Sequence, residues 1–218
     1  MKKILFTAFC SCFLLITAHA QQYPYYSDIQ AFKHTDSLNK PTGNEILFIG
    51  SSSFTYWTDV QSYFPDKKII NRGFGGSTLL NVIHYADDII FAYHPKQIVI
   101  YCGENDLADA DSVTADSVLH RFQTLFTIIR SKMPAVPIVY VSLKPSPSRA
   151  RLMEKMVTAN ASIRKYLRRQ RRTAFVDVYH KMLNADGSIK AELFKEDQLH
   201  MKAPGYTIWQ KAIAPVLK

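Results

Sequence analysis

Five short runs of β-branched and other apolar residues recur along this 218-residue chain, and longer stretches with helical periodicity separate them. Most of these runs are apolar throughout, which is typical of strands that are buried on both faces of a sheet. Such alternation predicts an α/β fold with a parallel sheet, helices on both faces and right-handed crossovers. The predicted strands are 46–49, 68–71, 97–102, 137–143 and 174–178.

Between the strands, apolar residues return every three or four positions, as on one face of a helix. A helix at 29–38 is expected before the first strand, and Pro204 is expected near the start of a last helix, because proline is favoured in the first helical turn. The clearest amphipathic set in the middle of the chain is Val118, Phe122, Leu125 and Ile129.

The first twenty residues have the features of a signal peptide. Lys2 and Lys3 precede an apolar stretch that ends at Ala18-His19-Ala20, the small-x-small pattern that signal peptidase cleaves. The stretch is too short for a spanning helix, and no later run approaches the roughly 18 apolar residues that such a helix needs. We therefore expect cleavage after residue 20, export to the periplasm or the exterior, and no membrane span in the product. An uncleaved, membrane-anchored form is the alternative.

Residues 21–218 are enough for one domain with a full core and too few for two ordinary domains. Cys10 and Cys12 would leave with the signal peptide, so that only Cys102 remains. A lone thiol cannot form an internal disulfide, and the core must hold without one. Because Cys102 ends an apolar run, we expect a buried side chain rather than a nucleophile.

The chain is basic, with a formal net charge of +9 that falls to +7 without Lys2 and Lys3. A basic run can indicate nucleic-acid binding. Here the run falls where a helix is expected to end, and cations at that position complement the helix dipole. We expect a solvated helix end and no nucleic-acid partner, with weak attraction to anionic polymers as the alternative. The run consists of Arg164, Lys165, Arg168, Arg169, Arg171 and Arg172.

Four short polar or glycine-rich stretches have the residue types that acyl transfer needs. Three of them follow predicted strands, and the fourth precedes the last predicted helix. Since parallel strands end at one edge of a sheet, the first three stretches should lie close together. In chain order they are Gly50-Ser51-Ser52-Ser53, Asn71-Arg72-Gly73-Phe74-Gly75-Gly76, Gly103-Glu104-Asn105-Asp106 and Asp197-Gln198-Leu199-His200.

The chemistry explains these residue types. A serine hydroxyl is a poor nucleophile until a neutral imidazole takes its proton, and a carboxylate fixes the tautomer of that imidazole. Asp197, three residues before His200, can reach Nδ1 and leave Nε2 for a serine. The tetrahedral intermediate needs donors to its oxyanion, and a glycine-turn amide with a side-chain amide such as Asn105 would supply them.

In order and spacing, these stretches resemble the signature blocks of the SGNH/GDSL hydrolase superfamily. The resemblance covers nearly all of 21–218 and implies a flavodoxin-like three-layer α/β/α sandwich with a five-stranded parallel sheet. It implies Ser52 as the nucleophile of a triad with Asp197 and His200. It also implies Gly76, Asn105 and the Ser52 amide as the donors of the oxyanion hole.

The chain departs from the Gly-Asp-Ser-Leu pattern at two positions, where Ser51 replaces the aspartate and Ser53 replaces the leucine. Position in the block favours Ser52 as the nucleophile. We expect an exported serine esterase that needs no cofactor and no metal and cleaves short or medium acyl esters, with acetyl esters first. A non-catalytic carbohydrate- or lipid-binding protein on the same scaffold is the alternative from another class, and lysophospholipids are the alternative substrate.

Two further groups of residues bear on the site. Lys144 and Arg149 belong to a proline-containing segment after the fourth predicted strand, and we expect them to overhang the site and to favour a substrate with negative charge. His84 lies near two aspartates, but no metal-binding motif supports a metal site there, and surface positions are expected instead. Oligomeric state is not predicted.

Overall fold

The computed structural model describes residues 23–218, so the predicted signal peptide lies outside the described residues. One parallel sheet of five strands runs through this part of the chain, with the strand order β2-β1-β3-β4-β5. The predicted α/β fold and five-stranded parallel sheet are confirmed. The strands are β1 (Ile46–Gly50), β2 (Ile69–Gly73), β3 (Gln97–Tyr101), β4 (Ile138–Val141) and β5 (Thr173–Val176).

Eight α-helices lie within residues 23–218, together with short 3₁₀ and π turns. The longest is α6, whose start is fixed by a capping box: Thr114 Oγ1 accepts from the Ser117 amide, and Ser117 Oγ accepts from the Thr114 amide, both at 3.2 Å. The helices are α1 (Tyr26–Leu38), α2 (Ser52–Thr55), α3 (Val60–Tyr63), α4 (Leu79–His84), α5 (Glu104–Asp109), α6 (Ala115–Lys132), α7 (Met153–Leu167) and α8 (Ala203–Ile213).

Two apolar cores lie on opposite faces of the sheet and make the architecture a three-layer sandwich. Successive residues of β1 alternate between them: Leu47 and Ile49 pack with α1, α4, α6 and α7, whereas Ile46 and Phe48 pack with α2, α3 and α8. Alternation with both faces covered explains why β1 and β4 are apolar at nearly every position.

The strand order reverses at β1, because β2 lies on one side of it and β3 lies on the other. Gly50, at the carboxyl end of β1, stands opposite Gly73 of β2 and Tyr101 of β3. Open α/β sheets bind ligands in the crevice that such a reversal creates. The fold therefore brings the three predicted blocks that follow β1, β2 and β3 to one crevice.

Candidate active site

The turn after β1 presents one of three consecutive serines. Gly50 has φ +135°, and a side chain there would meet the Tyr101 carbonyl oxygen at 1.8 Å, so this sharp turn requires glycine. Ser51 and Ser53 are each only 2% exposed, whereas Ser52 is half-buried at the start of α2. Ser52 is thus the most accessible hydroxyl of the block.

Asp197 and His200 form a tight local pair before α8. Asp197 Oδ2 lies 2.7 Å from His200 Nδ1, and Asp197 Oδ1 accepts from the backbone amides of Leu199 and His200, both at 2.9 Å. Hydrogen bonds from the His200 amide and imidazole hold the pKa of Asp197 well below its usual value. The carboxylate therefore stays ionised, and the imidazole keeps Nε2 free for another partner.

His200 packs against the segment that follows the serine turn. Its ring lies edge-on to Tyr56, with a centroid distance of 4.5 Å, and Tyr56 is four residues after Ser52. Ser148 holds the same loop from the other side, since its amide and hydroxyl both donate to the Gln198 carbonyl at 3.1 and 3.0 Å. The structure thus brings the fourth predicted block to the serine turn.

The two other predicted oxyanion donors border one cavity, whose volume is about 470 Å³. Gly76 has φ +81° and lies near the Tyr25 hydroxyl, which would be 3.2 Å from a side-chain carbon at that position. Asn105, in the first turn of α5, borders the cavity together with Arg149. The cavity mixes aromatic and polar walls, and its remaining residues are Tyr23, Pro24, Thr78, Leu80, Asn81, Ala108 and Asp109.

Asn105 is held by both ends of its carboxamide. Its Nδ2 donates to the Ser77 carbonyl at 3.0 Å, and its Oδ1 accepts from Arg149 Nη2 at 2.8 Å. Ser77 is itself fully buried, and its hydroxyl donates to the Gly50 carbonyl at 3.1 Å. The Asn105 side chain is therefore tied to the loops after β1 and β2.

The predicted role of Lys144 as a substrate contact does not agree with this structure. Lys144 is 1% exposed, and its ammonium donates to both carboxylate oxygens of Glu104 at 3.1 and 2.9 Å. Arg149 does border the cavity, but it is bonded to Asn105 and lies 3.3 Å from Glu104. The Lys144 ammonium is therefore not solvated over the crevice, because Glu104 supplies its countercharge inside the protein.

Burial would raise the pKa of Glu104, but the charges of Lys144 and Arg149 outweigh it and hold that pKa below its usual value. Burial lowers the pKa of Lys144, and the Glu104 carboxylate offsets part of that effect. The Tyr101 hydroxyl also donates to Glu104. Glu104 is therefore a buried carboxylate with two donor side chains, Lys144 and Tyr101, and a second cation, Arg149, close by.

Other residues of the site were not singled out from the sequence. Asp106 is fully buried and joins two helices, since it accepts from the amide of Leu79 at the start of α4 at 2.9 Å and from Arg121 of α6 at 2.8 Å. Tyr25 forms a wall of the cavity, and its position after the predicted signal peptide gave no indication of that role. The Gly-Glu-Asn-Asp block did contain Asp106 and Glu104, but their partners are distant in sequence.

A second Asp-x-x-His pair was also missed. His180 Nδ1 lies 2.7 Å from Asp177 Oδ2, as in the Asp197–His200 pair. It follows β5 at the edge of the sheet and borders a separate cavity of about 270 Å³ beside α7. Within residues 23–218, no group of three or more His, Cys, Asp or Glu side chains is arranged to hold a metal ion.

The chain belongs to the GDSL-like lipase/acylhydrolase family, whose model matches residues 48–208. That family and the fold define the protein as a carboxylic ester hydrolase, and they confirm the resemblance seen in the four sequence blocks.

Solved structures agree with this fold. A GDSL-like lipase from Bacteroides thetaiotaomicron has a TM-score of 0.73 at 18% identity, over 86% of this chain and 95% of that one. An acetylxylan esterase from Geobacillus stearothermophilus, solved as a catalytic mutant, has a TM-score of 0.63 at 16% identity, over 81% of this chain and 94% of that one. At these identities the likeness shows the fold.

A curated relative is N-acylneuraminate cytidylyltransferase from Escherichia coli O18:K1:H7, which is 26% identical over 180 residues. The match covers 80% of this chain but only 41% of the relative, so this chain spans less than half the length of that protein.

Proposed function

We propose that the protein hydrolyses acetyl esters of saccharides with a Ser52–His200–Asp197 triad. The observation that carries this proposal is that an aspartate-bonded histidine packs against Tyr56, four residues after a half-buried serine on a glycine turn, while Gly76 and Asn105 border a cavity. Such an arrangement provides the nucleophile, the base and the oxyanion donors of acyl transfer.

In this mechanism Ser52 Oγ attacks the acyl carbon while His200 Nε2 takes the hydroxyl proton. The carbonyl oxygen becomes an oxyanion that accepts from the Ser52 and Gly76 amides and from Asn105 Nδ2. Collapse breaks the bond to the alcohol, which leaves with the proton from His200. A water molecule then repeats the sequence on the acyl-enzyme and releases the acid, while Asp197 stabilises the imidazolium in both halves.

The walls of the cavity support a small polar alcohol as the leaving group. Aromatic rings of Tyr23 and Tyr25 and polar groups such as Asn81 and Asp109 suit a sugar ring better than a lipid chain. Because Lys144 is buried and Arg149 is engaged by Glu104 and Asn105, the cavity offers less free positive charge than an anionic lipid head group requires. One similar structure is named as an acetylxylan esterase, which agrees with this choice.

The test is a panel of p-nitrophenyl esters from acetyl to long-chain acids, together with acetylated xylan and lysophosphatidylcholine. We expect acetyl turnover to exceed long-chain turnover and acetate to be released from the xylan. Ser52→Ala should lower kcat by roughly six orders of magnitude. Ser51→Ala, which removes the neighbouring buried hydroxyl, is the matched control and should retain most activity.

A fluorophosphonate probe tests the mechanism independently of the substrate. We expect it to label Ser52 in the wild type and nothing in Ser52→Ala. A wild type that neither reacts with the probe nor cleaves any ester would favour the non-catalytic binding protein. Faster turnover of lysophosphatidylcholine than of acetyl esters would refute the saccharide proposal but keep the triad.

We also propose that the protein is exported and cleaved after Ala20. The pattern at 18–20 supports this site, and cleavage there would retain Tyr23 and Tyr25, which form part of the cavity wall. The Tyr85 hydroxyl donates to the carbonyls of Tyr23 and Pro24 at 3.2 and 3.0 Å, which fixes this segment. Among residues 23–218, no helix combines the length and apolar character needed to span a bilayer. Cell fractionation with N-terminal sequencing tests the proposal, and recovery of the intact chain in the cytoplasm would refute it.

A further inference from the structure

A buried ion pair lies behind Asn105 and takes no direct part in the proposed acyl transfer. The side chains of Lys144 and Glu104 are 2% and 3% exposed, and the ammonium donates to both carboxylate oxygens. Taking two charges out of water costs about as much as their attraction returns, so such a pair gives little net stability. The position of the pair behind Asn105 suggests a role other than stability.

Arg149 connects this ion pair to Asn105. One guanidinium nitrogen lies 3.3 Å from Glu104 Oε1, and another donates to Asn105 Oδ1 at 2.8 Å. The planar guanidinium of arginine has several nitrogens and can make both contacts at once. A lysine ammonium at the same position has one nitrogen and could not make them in the same geometry. The Arg149 side chain is 18% exposed, so the network begins at the cavity and ends in the interior.

These contacts allow only one orientation of the Asn105 carboxamide. If the amide were turned over, Nδ2 would face the Arg149 donor and Oδ1 would face the Ser77 carbonyl, and both contacts would become repulsive. In the observed orientation one Nδ2 hydrogen bonds to Ser77 at 3.0 Å. The second Nδ2 hydrogen has no acceptor among the described residues and is available to a ligand in the cavity.

We propose that Arg149 is a positioning residue for ester hydrolysis. It holds the Asn105 carboxamide so that its free N–H meets the substrate oxyanion, and the Lys144–Glu104 pair in turn holds Arg149. Donors to an oxyanion are effective because they are oriented before the charge develops, so loss of the orientation removes part of their contribution. This inference rests on the proposed function, since Asn105 needs a fixed orientation only if an oxyanion forms beside it.

The kinetic test is a double-mutant cycle with Arg149→Lys and Asn105→Ala on p-nitrophenyl acetate. Arg149→Lys keeps the charge but loses the fork, and kcat should fall on the order of tenfold with KM changed less than about threefold. In the Asn105→Ala background the same substitution should change kcat less than about twofold, since no carboxamide remains to be positioned. Arg151→Lys is the matched control, because Arg151 pairs with Asp111 at the surface, and its kcat should equal that of the wild type.

An equal loss of kcat from Arg149→Lys in both backgrounds would overturn the inference. A change confined to KM would also overturn it and would make Arg149 the substrate contact that its position in the sequence suggested.

A second measurement does not depend on turnover. The Nδ2 proton signals of Asn105 in an NMR spectrum, assigned by their absence in Asn105→Ala, should shift and exchange faster with water in Arg149→Lys but not in Arg151→Lys. Unchanged Asn105 signals in Arg149→Lys would overturn the inference whatever the activity. If the wild type cleaves no ester and does not react at Ser52, while the Asn105 signals still change, the proposed function fails and the positioning contact stands.

Discussion

Replacement of Lys144 by methionine should destabilise the protein strongly, although the two side chains are similar in length. The substitution leaves the Glu104 carboxylate buried at 2% exposure without its main countercharge. Breaking a buried ion pair from one side costs about 3–5 kcal/mol. We expect about 3 kcal/mol, at the lower end of that range, because Glu104 keeps its contact with Arg149 at 3.3 Å and its hydrogen bond from Tyr101.

The double variant Lys144→Met/Glu104→Gln separates the lost charge from the lost packing. Glutamine still accepts from Tyr101 but carries no charge, so the double variant should lose only about 1 kcal/mol, the net contribution of an ordinary hydrogen bond. The measurement is the free energy of unfolding in urea at pH 7 for the wild type, both single variants and the double variant. Lys132→Met is the control: Lys132 pairs with Asp87 at the surface, and exposed pairs contribute at most about 1 kcal/mol.

The stability difference should also depend on pH with a definite sign. The pKa of Glu104 is held below its usual value, so the stabilisation from its ionisation is complete above the unfolded-state pKa of about 4.3 and is lost as pH falls through the folded-state pKa. The advantage of the wild type over Lys144→Met should therefore shrink below about pH 4. A loss under 1 kcal/mol for Lys144→Met at pH 7, or a double variant as unstable as the two single losses together, would refute this reasoning.

Three further predictions concern catalysis. His200→Ala should lower kcat by roughly four to six orders of magnitude, whereas His180→Ala, which removes the other aspartate-bonded imidazole, should leave kcat unchanged; equal losses would mean that the wrong pair has been chosen. The low pKa of Asp197 should keep its carboxylate ionised, so Asp197 should add no inflection to the profile of kcat/KM between pH 5 and 8; two inflections in that range would contradict this. Asn105→Ala should lower kcat on the order of 10²–10³ with little change in KM, and an effect on KM alone would contradict its role as an oxyanion donor.

The order and type of the secondary structure could be predicted from the sequence because both faces of the three central strands, β1, β3 and β4, are buried. The ends of the strands could be predicted less accurately, because side chains remain buried beyond the last residues that hydrogen-bond within the sheet. The predicted strand 137–143 illustrates this, since β4 ends at Val141 although Ser142 and Leu143 are buried. The Leu143 amide and carbonyl bond to the Asn160 side chain at 2.8 and 3.0 Å instead of to a neighbouring strand.

The environment of Lys144 could not be predicted because its partner is distant in sequence. A lysine in a proline-containing segment after a strand is ordinarily solvated, since burial of its charge requires a countercharge. Here the countercharge is Glu104, forty residues earlier, and the parallel neighbours β3 and β4 bring the two segments together. Both residues lay within stretches singled out from the sequence, but nothing local to either stretch indicated that they would pair.

The two Asp-x-x-His pairs indicate which part of a catalytic site is local and which part the fold supplies. In each pair the first aspartate oxygen accepts from the histidine amide, and the second lies 2.7 Å from Nδ1. Their surroundings differ, because the His200 side chain is 19% exposed and packs against Tyr56, whereas that of His180 is 72% exposed beyond the edge strand β5.

A general base needs a nucleophile within reach of its free nitrogen, and the crevice at β1 offers the proposed one, a serine on a tight glycine turn. The three-residue spacing of the motif therefore fixes the tautomer of the imidazole. The strand order determines whether a serine hydroxyl can lie within reach of the free nitrogen of that imidazole.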